Sequence, residues 1–420
     1  EAGMRNGRRV VITGIGVVAP NGIGKQAYWD SLVSGKSGVG WITEFDTDPY
    51  PCKVVAKVQD FNPGDFINLK RAKQWGRISQ FAVVAARLAL EDSRLSISQE
   101  SPDRVLICIG NAMNGSGHVF DVARIGWDKQ GLAGIPNLSG IEYAAHAPAT
   151  HVSTELHIRG QALTIASACS TGLDVVQWAT DKNSEGKAEI VFAGSTEAPL
   201  TEFCFATLCA FGSISTFNEN PLKASRPFDL KRAGLVLGEG SAIFVVEELQ
   251  HALDRDAQIY AEVLGFGTGN EAGVESRRSA SQVAVSQSIA AALARAHLEP
   301  SQLDYVNAHG NAMPDYDRVD TEGLRSALGR AAYSTPVSSV KSMVGHAMGA
   351  AGAMQIAATC LALSNSIIPP TINYEIPDPT CDLDYVPNFA RVSRLRAALV
   401  NAHAIGGTYS ALVLGTPDLK

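Results

Sequence analysis

Residues 161–181 read QALTIASACSTGLDVVQWATD. The first part, 161–167, is rich in small and β-branched residues and reads as a buried strand; past Thr171 the apolar residues take up helical spacing. The chain turns sharply between the two, and Cys169 stands in the turn, within 168–172, ACSTG. A thiolate is a strong nucleophile, and the amides of a helix N-terminus favour the negative form of a thiol placed there. The same amides can hold the oxyanion that forms when an acyl carbonyl is attacked. The competing reading makes Cys169 one more small buried hydrophobe. Cys52, Cys108, Cys204, Cys209, Cys360 and Cys381 lack this strand–turn–helix setting and read as structural.

Outward from this turn, strands and helices alternate. Strand-like runs occupy 8–20 (RRVVITGIGVVAP), 103–115 (DRVLICIGNAMNG), 187–197 (KAEIVFAGSTE) and 239–249 (EGSAIFVVEEL). The order then repeats: 259–270 enters a turn, 303–315 (LDYVNAHGNAMPD) enters a loop, and 335–363 runs from a strand into a long apolar helix, before 396–407 and 408–415 close the chain. Residues 109–113, IGNAM, match 309–313, HGNAM, in four of five positions, each just after a hydrophobic strand. An internal duplication follows, with a tail at 1–7 and halves at 8–257 and 258–420. The alternation predicts an α/β fold of mixed sheets with helices on their faces. The helix in 335–363 is apolar nearly all round, so it should lie buried between layers. Residues 116–150 look like a loop-rich excursion. The stretch 14–22, GIGVVAPNG, fails the GxGxxG spacing of a dinucleotide site.

The 420 residues exceed one small core. At 45% hydrophobic and 18% charged, the chain has an ordinary globular balance, and no run long enough for a membrane span appears. The start, with a strand by about residue 9, leaves no room for a signal peptide. Seven cysteines without a CxxC pair or paired histidines exclude a zinc site and a disulfide framework, and a reducing, cytoplasmic location fits. A net charge of −7 gives no reason to expect nucleic acid.

Two histidines share a setting. His309 ends a strand beside Gly310, and His346 opens the apolar helix beside Gly345. A lone core histidine is usually structural, but two in comparable settings suggest a shared site. Lys341 ends the strand before His346 and would be costly to bury unpaired. Asp317 and Asp320 follow His309 and could supply counter-charge; alternatively they cap a helix starting around Thr321.

Taken together, ASACSTG (166–172), ASRPFD (224–229) with LGEGSAIFVVEELQHA (237–252), VNAHG (306–310), SSVKSMVGHAMGAAGA (338–353), PPTIN (369–373), CDLDYVP (381–387) and GGTYSALVL (406–414) resemble the elongating β-ketoacyl synthases of type II fatty-acid and polyketide synthesis. The resemblance spans essentially the whole chain. It implies a thiolase-like fold whose duplicated halves form a five-layered α-β-α-β-α arrangement. It implies that Cys169 accepts an acyl group from an acyl carrier protein, and that malonyl carrier protein then loses carbon dioxide and its carbanion attacks that thioester. His309 and His346 would stabilise the enolate, Lys341 would set the electrostatics with Asp320, and the amides of Cys169 and Ile405 would form the oxyanion hole. No metal or cofactor is implied beyond the phosphopantetheine of the carrier. Members of the family are dimers, with the strand before the nucleophile at the interface, and Met113 would reach the neighbour's acyl pocket and help set its length. The partner is an identical chain or a chain-length factor.

The chain departs from the family pattern in several places. After His309 the family usually carries threonines that contact pantetheine. Here Asn311 can still bond an amide of that arm, whereas Met313 offers an apolar surface. The phenylalanine gate is replaced by Ile405, with Ala404 before it; Gln355 stands for a glutamate, and Gly212 for a docking arginine. These changes suggest a specialised fatty-acid, polyene or polyketide pathway. The basic stretch 69–77, LKRAKQWGR, places Lys70 and Lys73 at family docking positions, although charge runs are usually solvated faces. The rival from another class is a non-catalytic chain-length-factor-like partner, which would lack the nucleophile. An initiating synthase would carry asparagine for His346, and a thiolase a second cysteine in its C-terminal half.

Overall fold

A computed structural model describes residues 8–137, 139–271 and 280–418. The expected tail at 1–7 lies outside the described residues. On the main path of the large sheet, five strands come from the N-terminal half: β1 (Val10–Ala19), β2 (Val105–Gly110), β3 (Ala162–Leu163), β4 (Ile190–Glu197) and β5 (Gly240–Glu248). Five more follow in the C-terminal half: β6 (Ala261–Asn270), β7 (Tyr305–Asn307), β8 (Val337–Ser338), β9 (Ala397–His403) and β10 (Thr408–Gly415).

In space the first set runs β3-β2-β4-β5-β1 and the second β8-β7-β9-β10-β6, the same permutation of chain order. In each set the second strand pairs in parallel with both neighbours and the last three strands pair antiparallel. The GNAM echo follows the second strand in both sets, so the repeated residues are topological equivalents. A short pairing of Val11 and Ile12 with Glu262 and Ala261 joins the two sheets edge to edge.

Helices complete five layers. Arg77–Ser93 and Ala147–Leu156 cover one outer face, against β1, β5 and β2; Gln282–Ala296 and Pro314–Leu328 cover the other, the former against β6 and β10. Between the sheets lie Thr171–Ser184 and Ala351–Asn365, packed on each other. From Ala351 to Leu363 the second of these is buried on every side, as its nearly all-apolar sequence requires. The largest apolar cluster fills this middle layer.

Three sequence expectations need correction. Residues 161–167 are not a buried strand: only Ala162–Leu163 pair, at the sheet edge, and Gln161, Ala162 and Ala166 are exposed. Small and β-branched residues fit an edge strand as well as a central one, so composition could not separate them. Residues 116–150 are not loop-rich; they hold helices Ser116–Gln130 and Ser139–Glu142 and the start of Ala147–Leu156. The helix after His309 begins at Pro314, whose fixed φ suits a first helical position, and not near Thr321. Asp317 and Asp320 therefore lie inside it and do not cap it.

Candidate active site

Cys169 sits in a 3₁₀ turn, Ala168–Ser170, that feeds the helix Thr171–Ser184. Ala168 is forced to φ +51°, a left-handed conformation that an L-residue tolerates only where surrounding structure imposes it. The second half repeats the device: Met348, at φ +45°, opens the 3₁₀ turn Met348–Ala350 before Ala351–Asn365. Cys169 is 1% exposed and belongs to an apolar cluster with Phe205, Leu208, Met348 and Ala404, against which Met113 and Met313 pack. Met113 thus packs against the cluster of its own chain that includes Cys169.

The thiol departs from expectation. Burial pushes Cys169 up to about 11, and the N–H of Ile405, the Lys341 ammonium and its own N–H offset this only in part. The turn therefore holds a protonated thiol at neutral pH, because loss of water outweighs the helix amides. Among the groups that lower it, the Ile405 N–H comes first, ahead of the Lys341 charge and the Cys169 N–H.

His309 and His346 come together with ring centroids 5.3 Å apart and planes at 78°. Both are buried, and burial with the nearby Lys341 charge holds both well below the usual imidazole range, so they are neutral. Their tautomers follow from backbone contacts. The Met348 N–H donates to His346 Nδ1 at 3.1 Å, and the His403 N–H donates to His309 Nδ1 at 3.2 Å. A neutral imidazole that accepts at Nδ1 carries its proton on Nε2. His346 Nε2 is buried without a partner among the described residues. His309 Nε2 lies 3.1 Å from the Asn311 amide nitrogen, while the Asn311 oxygen accepts from the Met313 N–H at 2.9 Å. Two donors compete for one amide oxygen, so an N–H in this loop remains open to an incoming acceptor. Asn311, expected to bond a pantetheine arm, is buried and spends its amide inside the loop.

Lys341 opens a short helix, Lys341–Val344, instead of ending a strand, and His346 lies between that helix and the Met348–Ala350 turn. Its Nζ donates to the His309 carbonyl at 2.7 Å and to Gln355 Oε1 at 2.8 Å. Gln355 Nε2 returns a bond to the Ala308 carbonyl at 2.9 Å, tying the middle-layer helix to the histidine loop. Neither aspartate bonds Lys341. Asp317 accepts from the N–H groups of Asn311, Ala312 and Phe228, and burial raises it to about 7. Asp320 accepts from the Gly310 N–H at 3.0 Å and from Asn401 Nδ2 at 2.7 Å. Both hold the loop that carries His309.

Two buried residues escaped the sequence analysis. His403 stacks on His309, with centroids 4.8 Å apart and planes 19° from parallel. Glu197 accepts from the N–H groups of Ala112, Met113 and Gly349, and burial raises it to about 7. A carboxylate ending a buried strand in 187–197 was a usable signal for Glu197; a histidine inside an apolar strand gave none for His403. Lys70 and Lys73 are exposed and make no ion pair with any described residue, far along the chain from this cluster. Gly212 adopts φ +76° and ends the helix Glu202–Phe211, a position that suits glycine.

The arrangement offers a buried sulfur among apolar side chains and two neutral imidazoles with Nε2 protons. Such a set suits acyl transfer and stabilisation of a developing oxyanion. Comparison with known proteins agrees. Residues 7–252 match the family described as "Beta-ketoacyl synthase, N-terminal domain" and residues 260–375 match "Beta-ketoacyl synthase, C-terminal domain". The tetracenomycin polyketide synthase ketoacyl synthase alpha subunit of Streptomyces glaucescens is 40% identical over 417 residues, covering 98% of this chain and 97% of the relative. The 3-oxoacyl-[acyl-carrier-protein] synthase 2 of Coxiella burnetii is 38% identical over 410 residues, 97% and 98% of the two chains. Among solved structures, the ishigamide ketosynthase/chain length factor superposes with a TM-score of 0.91 at 33% identity, covering 98% and 99%. A type II polyketide acyl-carrier protein in complex with its ketosynthase, bound to a hexaketide, gives 0.90 at 32%, covering 98% and 100%. With this fold and these matches along both halves, the chain belongs to the β-ketoacyl synthase family.

Proposed function

We propose that this chain is a catalytic condensing enzyme that joins an acyl group, held as a thioester on Cys169, to malonyl-acyl carrier protein. In the first half-reaction Cys169 Sγ attacks the acyl thioester of a carrier protein, and the N–H groups of Cys169 and Ile405 take up the oxyanion. The carrier thiol leaves with the proton that Cys169 gives up, so a thiol near 11 needs no separate base for the exchange to balance. In the second, malonyl carrier protein loses carbon dioxide. His309 and His346 donate Nε2 protons to the thioester oxygen as enolate charge develops, and the Lys341 ammonium behind His309 adds to that field. The carbanion then attacks the acyl carbonyl, and the Cys169 thiolate departs. Asp317, Asp320 and Gln355 hold the His309 loop and Lys341 in place. Met113, Met313 and Ile405 shape the space the acyl chain enters. The scheme calls for no metal or cofactor; both substrates ride on the carrier's phosphopantetheine.

The single observation carrying this reading is the pair of buried neutral imidazoles, His309 and His346, 5.3 Å apart with their protons on Nε2, in a chain that also buries the Cys169 sulfur where a 3₁₀ turn feeds a helix. A chain-length-factor-like partner role is the rival, and it requires no such sulfur.

Exposed Lys70 and Lys73 form the docking point for the acidic carrier. A second chain of the same fold, identical or chain-length-factor-like, covers the exposed apolar face around Trp127. The replaced pantetheine contacts and gate support a specialised fatty-acid, polyene or polyketide pathway.

Intact-mass measurement after incubation with a panel of acyl carrier proteins tests the proposal. An acyl adduct on the wild type and none on Cys169→Ala supports it, and the preferred donor identifies the chain. Absence of an adduct with every donor, with and without a partner subunit, would favour the non-catalytic role. A preference for ordinary saturated chains would count against a specialised pathway.

A further inference from the structure

His403 is a buried imidazole that the condensation scheme leaves unused. It ends β9, and its protonation can be worked out from the backbone. The His309 N–H donates to Asn401 Oδ1 at 3.0 Å, which fixes the Asn401 oxygen on that side. Asn401 Nδ2 carries two hydrogens and has two acceptors, Asp320 Oδ1 at 2.7 Å and His403 Nε2 at 3.0 Å. His403 Nε2 is therefore an acceptor. The one proton of the neutral ring sits on Nδ1, which is buried with no partner among the described residues. The His403 N–H in turn donates to His309 Nδ1, and the two rings stack.

We propose that His403 is a positioning residue for His309: its neutral ring and backbone N–H hold His309 with the proton on Nε2, and a second proton on His403 breaks that hold. The second proton must enter at His403 Nε2, where Asn401 now donates. The new N–H turns to Asp320 Oδ1, 3.4 Å away, and the Asn401 amide then faces a donor. Asn401 is displaced, and the His309 N–H loses its acceptor.

The charged and titratable groups around His403 set the direction of its titration. Asp320 faces it from the helix Pro314–Leu328, and His309 and Lys341 lie on the far side of the stack. Tyr409 of β10 lies 5.4 Å away between ring centroids, with its hydroxyl bound to Glu271, and Tyr316 lies beyond His309. Burial and Lys341 hold His403 below the usual imidazole range while Asp320 opposes them. Burial and the Lys341 charge hold His309 and His346 well below that range too.

The geometry stands on the hydrogen bonds alone; its kinetic consequence rests on the condensing role proposed above. Ring-nitrogen NMR of histidine-labelled wild-type protein at pH 8 should find His403 as the Nδ1–H tautomer and His309 as Nε2–H. A proton on His403 Nε2 overturns the proposal whatever the protein catalyses. In condensation assays, His403→Phe keeps a stacked ring without a titrating nitrogen, and the acid limb of kcat should move at least about half a pH unit lower. His403→Ala removes the stack and should lower kcat about tenfold or more, with KM for malonyl carrier protein changing less than about twofold. An acid limb unmoved in His403→Phe, or an unchanged kcat in His403→Ala, also overturns it. If the wild type condenses nothing, the function above fails while the tautomer measurement still decides the geometry.

Discussion

Lys341 is a buried ammonium whose two hydrogen-bond acceptors, the His309 carbonyl and the Gln355 amide oxygen, are both neutral. Burial lowers it to about 7, with Cys169, Asp320 and Asp317 opposing that fall. Its charge is therefore present below about pH 7 and is lost as pH rises through that value. Between there and the ordinary lysine range the unfolded chain binds the extra proton, so this group makes stability rise with pH across that window. Gln355→Glu places a carboxylate at the same point and should raise Lys341 by about one unit or more. Malonyl decarboxylation, followed in a Cys169→Ala background so that the thiol plays no part, should lose rate above about pH 7 with Gln355 in place. The same assay with Gln355→Glu should keep its rate to higher pH, and coincident profiles would remove Lys341 from the enolate field. Cys169, His309, His346 and Lys341 were legible in the sequence because each stands in a local motif beside small residues, although Lys341 opens a short helix and does not end a strand. His403 was not, because its partner Asn401 is two residues away in a strand while the ring it touches is 94 residues distant.

At the scale of elements, the two turns that precede the middle-layer helices place the chemistry. Each opens on a left-handed non-glycine residue, Ala168 or Met348, held there by the helix that follows. Those helices touch at Gly172 and Gly352, where a Cβ on Gly172 would meet the backbone of Gly352 and Ala353. The absence of a side chain at Gly172 thus sets how closely Cys169 approaches the second half. Gly172→Val should destabilise the protein by about 1–3 kcal/mol, from overpacking against unyielding backbone. Denaturant unfolding would read that loss, and Cys169 acylation should fall with it; a variant equally stable and equally acylated would show the contact to be slack. The turn into each apolar helix was plain from residue spacing, whereas the strand read before Cys169 shrinks to Ala162–Leu163. Edge or centre was not, because side-chain period says nothing about which strand lies alongside.

For the whole molecule, the surface divides into an apolar face and a basic stretch. Trp127, Leu132 and Tyr143 are 57%, 77% and 63% exposed, and Phe120 lies against Phe203 with ring centroids 4.5 Å apart. These residues lie on or beside the helix Ser116–Gln130 and the turns that pack against it. Several large apolar side chains exposed in one region usually mark an association surface. Trp127→Asp combined with Leu132→Asp should convert a dimer into single chains in light scattering, with helix content retained. Lys70→Glu combined with Lys73→Glu should leave the mass unchanged and abolish transfer from carrier protein; intact transfer would remove these lysines from docking.

The sequence by itself determined the fold family, the duplication and the three groups proposed for chemistry, because period, glycine spacing and local motif are properties of neighbours along the chain. Only the tertiary structure decided the protonation of Cys169, the tautomers of the histidines and the place of His403. Desolvation and hydrogen-bond direction depend on groups brought together from distant segments, and no local pattern encodes them.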